Sequence, residues 1–134
     1  MDTFRTTYTP HFHEANPGGI IAAARLIDLA HVAYERWIQE RLGIAWRDWF
    51  MNPVWAVAIR QIQLDAYVPT LAGVELQIEL KFEALSATSF ILRVELIGQH
   101  ARPSAVISAT YVFIDRATHG RMNIPDDVMH RIES

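Results

Sequence analysis

Residues 74–82, Val-Glu-Leu-Gln-Ile-Glu-Leu-Lys-Phe, alternate strictly between apolar and polar side chains. A period of two puts all the apolar positions on one face, so this segment reads as a half-buried strand. Looser alternation marks further strands over Phe90–Ile97 and Val106–Ile114. Trp55–Tyr67 is another, with Val57, Ile59, Ile62 and Leu64 apolar; its alternation slips near Gln61, which predicts a bulge. Phe4–Phe12 reads as the first strand because Thr, Tyr and Phe suit a pleated surface, and Pro10 places an edge or a bulge near its end. Between the first two strands the period changes. Ile20, Ala24, Ile27, Ala30, Tyr34, Trp37, Ile38 and Leu42 recur mostly at three and four residues, which predicts a helix from Ile20 to Leu42 stopped at Gly43. Ile21, Ala22, Ala23 and Leu26 add apolar surface on other sides, so this helix should be mostly buried. Asn16 is positioned to cap it, with Pro17 at the first helical position, where a missing N–H costs nothing. Ala45–Pro53 reads as a connector, and Asn123–Asp127 opens a short C-terminal helix with acids near its start.

The order is one strand, one long buried helix, then four strands joined by turns short enough for antiparallel pairing. A sheet wrapped round an apolar helix buries both, giving an α+β layer. Such a sheet has edges to protect, which favours pairing of subunits. The chain has 134 residues, half of them hydrophobic, and is expected to form one domain over residues 1–134. It has no cysteine, which rules out a thiol nucleophile, disulfides and cysteine metal sites. The net charge of −3 and the lack of a basic run argue against nucleic acid and anionic membranes as partners. The first ten residues do not have the form of a signal peptide. The run Pro17–Leu29 is broken by Arg25 and Asp28 and is shorter than the ~20 residues of a membrane span. A soluble cytoplasmic protein is the expectation.

The candidate chemistry gathers in His11–Ile21. Gly18 and Gly19 leave backbone N–H groups open at a helix mouth, an arrangement that stabilises an oxyanion, or else simply forms a capping turn. Asn16 cannot take a proton at neutral pH, but it can hydrogen-bond a water or a carbonyl. Glu14 can orient water or act as a base, and His13 is an alternative base. His11 and His13 share a strand face by period two and, with Glu14, raise a metal reading; no third histidine stands at a recognisable spacing, so no metal is assigned. His31 reads as a core or interface histidine with a satisfied partner, and Arg25 and Asp28 as an i,i+3 pair. Trp37, Trp46, Trp49, Phe50 and Trp55 suit a core, a subunit interface or an acyl pocket. Ser86, Thr88 and Ser89 sit at a hairpin without a Ser-His-Asp constellation around them.

Glu14-Ala15-Asn16-Pro17-Gly18-Gly19-Ile20-Ile21 resembles the Asp-x-Asp-x-x-Gly opening motif of the 4-hydroxybenzoyl-CoA thioesterase-like group of hotdog proteins. Gln63–Pro69 with Gly73–Leu76, and Tyr111–Asp115 with Ile124-Pro125, resemble its later signatures in the same order. The resemblance implies a hotdog fold, an antiparallel five-stranded sheet around a long central helix. It implies hydrolysis of an acyl thioester of coenzyme A or of an acyl carrier protein, the carbonyl being polarised by backbone N–H groups at the helix start. It also implies a homodimer or homotetramer with sites between subunits. Asn16 stands where the group has its second Asp. The Glu-x-Asn-x-x-Gly form resembles thioesterases of enediyne polyketide pathways, but their central-helix arginine is matched here by Tyr34, with Arg36 nearby. The expected site is therefore Asn16, Glu14, His13, Gly18 and Gly19 for catalysis and Pro17, Ile20 and Tyr67 for substrate contact, with no metal or cofactor. The alternative is a non-catalytic acyl or pantetheine binder that has lost its acid; a base near Asn16 separates the two. A dehydratase is a third reading, and no catalytic His/Asp pair is visible for it.

Overall fold

The computed structural model describes residues 2–134. Strand β1 (Phe4–Tyr8) leads through a 3-10 turn (Phe12–Glu14) to helix α1 (Ala23–Glu40) and a short helix α2 (Trp46–Phe50). Strands β2 (Trp55–Ala66), β3 (Leu76–Leu85), β4 (Ser89–Ile97) and β5 (Ala105–Asp115) follow, and helix α3 (Asp126–Glu133) closes the chain. The five strands form one sheet in the order β1-β3-β4-β5-β2, antiparallel at every pairing. The expected α+β layer is present, and the bulge expected near Gln61 lies between Ile59 and Gln61, where β2 pairs with β5.

The core lies between α1 and one face of the sheet. Leu26, Leu29, Ala30, Ala33, Tyr34, Trp37 and Ile38 are the buried positions of α1. They meet Leu76, Ile78 and Leu80 of β3, alternate residues of β4 from Phe90 to Leu96, and Ile107, Tyr111 and Phe113 of β5. Aromatic rings carry much of this contact. Tyr34 stacks on Tyr111 at 4.4 Å between centroids, Tyr111 on Phe90 at 5.1 Å, and Phe90 on Phe82 at 5.6 Å. Offset stacking of this kind adds roughly 0.5–1.5 kcal/mol per pair beyond area burial.

Four expectations about element boundaries are corrected. The first strand ends at Tyr8 rather than Phe12, because Pro10 has no N–H to donate and its carbonyl instead accepts from Gly73. His11 and His13 therefore lie in and beside the 3-10 turn, not on a strand face. Helix α1 begins at Ala23, not at Pro17 or Ile20. The connector after Gly43 contains α2, whose buried Trp49 donates through Nε1 to the Tyr34 hydroxyl at 2.9 Å. Finally, β3 starts at Leu76 and runs to Leu85, past a register shift between Phe82 and Ala84.

On the sheet's other face, charges alternate across three strands. Arg5 pairs with Glu79 (3.0 Å), Lys81 bridges Glu79 and Glu95 (3.9 and 3.2 Å), and Arg93 pairs with Glu95 and Glu83 (3.0 and 3.7 Å). Burial pulls the Glu95 carboxyl upward, but the bonds from Arg93 and Lys81 outweigh it and hold it below the usual 4.5. A depressed carboxylate contributes stability that is full above its unfolded pKa and is lost as pH falls through the folded value. Thermal melts from pH 7 down to pH 3 should therefore show Glu95→Gln less stable than wild type at pH 7, by roughly 1 kcal/mol, with the gap closing below about pH 4.

Candidate active site

The segment ahead of α1 is organised by one side chain. Oδ1 of Asn16 accepts the N–H groups of Gly18 (3.0 Å) and Ile20 (3.1 Å), while its main-chain carbonyl accepts that of Gly19 (2.9 Å). Gly19 sits at φ +77, a left-handed conformation that costs glycine little. The chain then leaves the turn extended. Ile20 bridges Leu71, and the Ile21 N–H donates to the Thr70 carbonyl at 2.8 Å. Only after these contacts can a helix start. Asn16 thus caps its own turn instead of α1, and the N–H groups of Gly18 and Gly19 are spent inside that turn.

The open donors lie further along. The first intrahelical bonds are from Arg25 and Leu26 to the Ala22 carbonyl, so the N–H groups of Ala23 and Ala24 are the orphan donors of α1. Both alanines are exposed, and Ala23 borders a shallow cleft of about 260 Å³ with Ile20, Ile21, Leu26 and the strap Ala66–Thr70. On the other side of the turn, Phe12, Ala15, Asn16, Pro17, Gly18 and Gly19 line an open cleft. With Oδ1 taken by two N–H donors, the amide orientation of Asn16 is set, and its Nδ2 makes no hydrogen bond to any described residue. Its free function is therefore donation.

Glu14 lies in the 3-10 turn. Its Oε1 accepts the Tyr8 hydroxyl at 2.9 Å and the His11 N–H at 2.7 Å. Burial raises the carboxyl's pKa, but these two bonds, with the nearby imidazoles of His11 and His13, bring it below the usual 4.5, and Glu14 is a carboxylate at neutral pH. Both bonds fall on one oxygen, leaving Oε2 without a described partner. His13 is exposed and stands edge-on to His11 at 5.4 Å. Ligand-capable atoms of His11, His13 and Glu14 lie within 4.8 Å of one another, the one such cluster among the described residues. It offers three donors to a metal, one carboxylate oxygen already being engaged.

The turn therefore brings Asn16, Pro17, Gly18 and Gly19 to one cleft, while Ile20 faces the other cleft together with Tyr67. The other candidates fall outside these clefts. His31 bonds the Ile27 carbonyl through Nδ1 at 3.0 Å, and Arg25 pairs with Asp28 at 3.4 Å, as their spacings predict. Trp37, Trp49 and Trp55 are core, whereas Trp46 and Phe50 are exposed. Ser86 and Ser89 bond one another across their hairpin at 2.8 Å. Three features escaped the pattern along the chain. Tyr8 holds Glu14. Arg36 bonds the Thr6 hydroxyl at 2.8 Å and lies over the Tyr8 ring. Ala23 and Ala24 hold the free donors. Each depends on where the chain folds back, and an alanine N–H has no signature in a sequence.

Five antiparallel strands packed on one long helix, with a glycine turn ahead of it, define a hotdog fold. Residues 10–132 match the family described as the thioesterase-like superfamily, and the chain belongs to that family. Among its relatives is a 1,4-dihydroxy-2-naphthoyl-CoA hydrolase of Nostoc punctiforme, 24% identical over 132 residues, covering 98% of this chain and 88% of the relative. Another of that name, from Synechococcus elongatus, is 28% identical over 116 residues, covering 86% and 84%. The crystal structure of a 1,4-dihydroxy-2-naphthoyl-CoA thioesterase from Synechocystis superposes with a TM-score of 0.89 at 17% identity, covering 99% of this chain and 97% of the other. A Staphylococcus aureus protein solved in complex with CoA superposes with a TM-score of 0.87 at 11% identity, covering 98% and 82%.

The fit of Gly73 gives a direct test of how the site is held. Gly73 has φ +79, and a Cβ there would come within 3.0 Å of the Phe12 ring. Gly73→Ala should cost about 1–2 kcal/mol of stability from left-handed strain, measured by urea denaturation. It should also displace Phe12 from the mouth of the Asn16 cleft. An unchanged midpoint would show that the turn is not packed against this loop.

Proposed function

We propose that the protein hydrolyses the thioester of an acyl- or aroyl-coenzyme A, with the bond cleaved beside α1. The observation that carries this reading is a free donor next to an ionised acid: Asn16 Nδ2 has no described partner, and the Glu14 carboxylate stands two residues before it, with the open N–H groups of Ala23 and Ala24 at the adjoining cleft. The thioester carbonyl oxygen accepts from Asn16 Nδ2, which favours the negative charge that develops there, and the open N–H groups at Ala23 and Ala24 add the helix dipole from the adjoining cleft. Water oriented by Glu14, or by His13, attacks the carbonyl carbon. The C–S bond breaks, the thiolate leaves as the thiol on taking a proton, and a carboxylic acid remains. This moves the polarising groups from Gly18 and Gly19 to the next free donors along the same segment. An aromatic acyl group, as in the substrate named for the relatives, fits the apolar lining of Ile20, Ile21 and Leu26. Pro17 and Gly18 line the adjoining cleft with Asn16.

The site is completed in a homodimer or larger assembly through β2. This strand is an unpaired edge of twelve residues that exposes Ile59 and Ile62. Pairing two such edges continues the sheet and covers both. A coenzyme A thioester is a cytoplasmic metabolite, which agrees with a cytoplasmic protein; among the described residues, no helix is long and apolar enough to cross a membrane.

Thiol release from a panel of acyl- and aroyl-CoA esters tests the reading. Wild type should turn over, and Asn16→Ala should lose about 10²–10³ in kcat, as for removal of an oxyanion donor. Glu14→Gln should lose a similar factor and abolish the fall in rate at low pH. Because Glu14 is held below the usual 4.5, that fall should lie in the acid range, with a flat profile above it. No turnover in wild type with a gain in Asn16→Asp would favour the non-catalytic binder instead. Sedimentation of wild type as a species of 15.3 kDa would refute the assembly.

A further inference from the structure

His11, His13 and Glu14 are close neighbours in the chain, and the backbone folds them onto one side. It turns here with 3-10 geometry, the Glu14 N–H donating to the His11 carbonyl at 3.0 Å. Three residues complete one such turn, so positions i and i+3 eclipse and His11 comes over Glu14. His13 stands beside them, its ring edge-on to that of His11 at 5.4 Å. One ligand atom of each side chain lies within 4.8 Å of the other two. A tetrahedral metal at ~2.1 Å from each ligand sets the ligand atoms ~3.4 Å apart. Both imidazoles are exposed, so side-chain rotation closes the difference.

The surroundings support these three side chains as a unit. The Tyr8 hydroxyl and the His11 N–H both bond Oε1 of Glu14, at 2.9 and 2.7 Å, which orients the carboxylate and leaves Oε2 without a described partner. The Tyr8 ring also lies nearly parallel to the His11 imidazole, 6.2 Å away with 15° between the planes. One strand residue therefore positions two of the three ligands. Ligating carboxylates are commonly held by an outer hydrogen bond of this kind. No Lys or Arg pairs with Glu14 among the described residues. Arg36, which lies over the Tyr8 ring, is engaged by the Thr6 hydroxyl and the Thr7 carbonyl. The charge of Glu14 is open to a cation.

We infer that His11, His13 and Glu14 bind one divalent metal ion of the zinc class, through two imidazole nitrogens and Oε2 of Glu14, with solvent completing the coordination. Two nitrogens and one oxygen suit zinc, nickel or copper and disfavour magnesium and calcium, which take oxygen ligands. The expectation of no metal rested on the lack of a third histidine at a recognisable spacing, and here the third ligand is the acid. The site itself is independent of any activity. Its consequence rests on the thioesterase reading above: Glu14 has one free oxygen, and a metal on Oε2 takes the atom that would orient water. Zinc therefore inhibits hydrolysis by occupying Glu14.

Calorimetric titration of chelator-treated protein with zinc chloride tests the site. Wild type should take up one zinc ion per chain in the micromolar range, and neither magnesium nor calcium. His11→Ala should weaken zinc binding by about tenfold or more, and Tyr8→Phe, which keeps all three ligands, by about tenfold. Zinc binding weaker than about 1 mM in wild type, or unchanged in His11→Ala, would overturn the site. Unchanged affinity in Tyr8→Phe would overturn the orienting role of Tyr8. Initial rates of aroyl-CoA hydrolysis read the consequence. Zinc should lower kcat of wild type about tenfold or more, and a chelator should restore it. His11→Ala should match wild type within about twofold in chelator and keep that rate when zinc is added. Zinc that binds without lowering the wild-type rate, or that raises it, would overturn the inhibition. If wild type cleaves no ester, the thioesterase reading fails on its own, and the titration still decides the metal site.

Discussion

Oδ1 of Asn16 accepts two backbone N–H groups, and this small closure decides where α1 can begin. A helix started at Pro17 would need the Ile20 N–H for the Asn16 main-chain carbonyl, could not hold Gly19 at φ +77, and would lose the extended bridge from Ile20 to Leu71. Holding the turn shut delays the helix to Ala23 and leaves its first donors exposed at a cleft rather than folded into a cap. The same closure sets the amide so that its Nδ2 is left without a described partner. A carboxylate in this place could accept the same two N–H groups, but it would offer no donor. Under the proposed function, asparagine makes the turn a hydrogen-bond donor to substrate, and the acid is Glu14, two residues earlier and anchored by Tyr8.

The scaffold keeps this arrangement in place through packing remote from it. The ring stack from Tyr34 through Tyr111 and Phe90 to Phe82 fixes α1 on the sheet. Thr70 and Ser104 are buried hydroxyls joined to each other, and Ser104 also bonds the Leu96 carbonyl at 3.1 Å. Buried polar groups satisfied in this way hold a loop more rigidly than apolar contact alone, because any shift strands a hydroxyl. The strap they secure forms one wall of the cleft at Ala23.

Much of the architecture was legible in the chain. Strict alternation in residues 74–82, the three-and-four spacing of α1 and the slip near Gln61 all reflect burial, which leaves a periodic trace in residue type. Boundaries were less legible. Asn-Pro-Gly-Gly carries the chemistry of a helix cap, and nothing local shows that Ile20 and Ile21 will bond to Thr70 and Leu71, fifty residues away. The short helix α2 hid in a segment too brief for periodicity. The candidate turn stood out in the chain, but its hydrogen bonding did not. The motif directed attention to Asn16 and Glu14, but free N–H groups belong to Ala23 and Ala24, whose side chains are silent. Tyr8 lay on a strand whose alternation explained it without reference to Glu14.

The length of β2 has a consequence for how the chain lives before it finds a partner. Twelve residues paired with β5 on one side and, among the described residues, open on the other, with isoleucines among them, are a template for any strand of complementary direction. Self-pairing is the safest use of that template, and it is second order in protein concentration, whereas misdirected pairing has many candidates in a crowded cell. With the proposed self-pairing, a newly made chain is most vulnerable when dilute, after folding and before association. Its persistence depends on how quickly it is synthesised as well as on how well it folds.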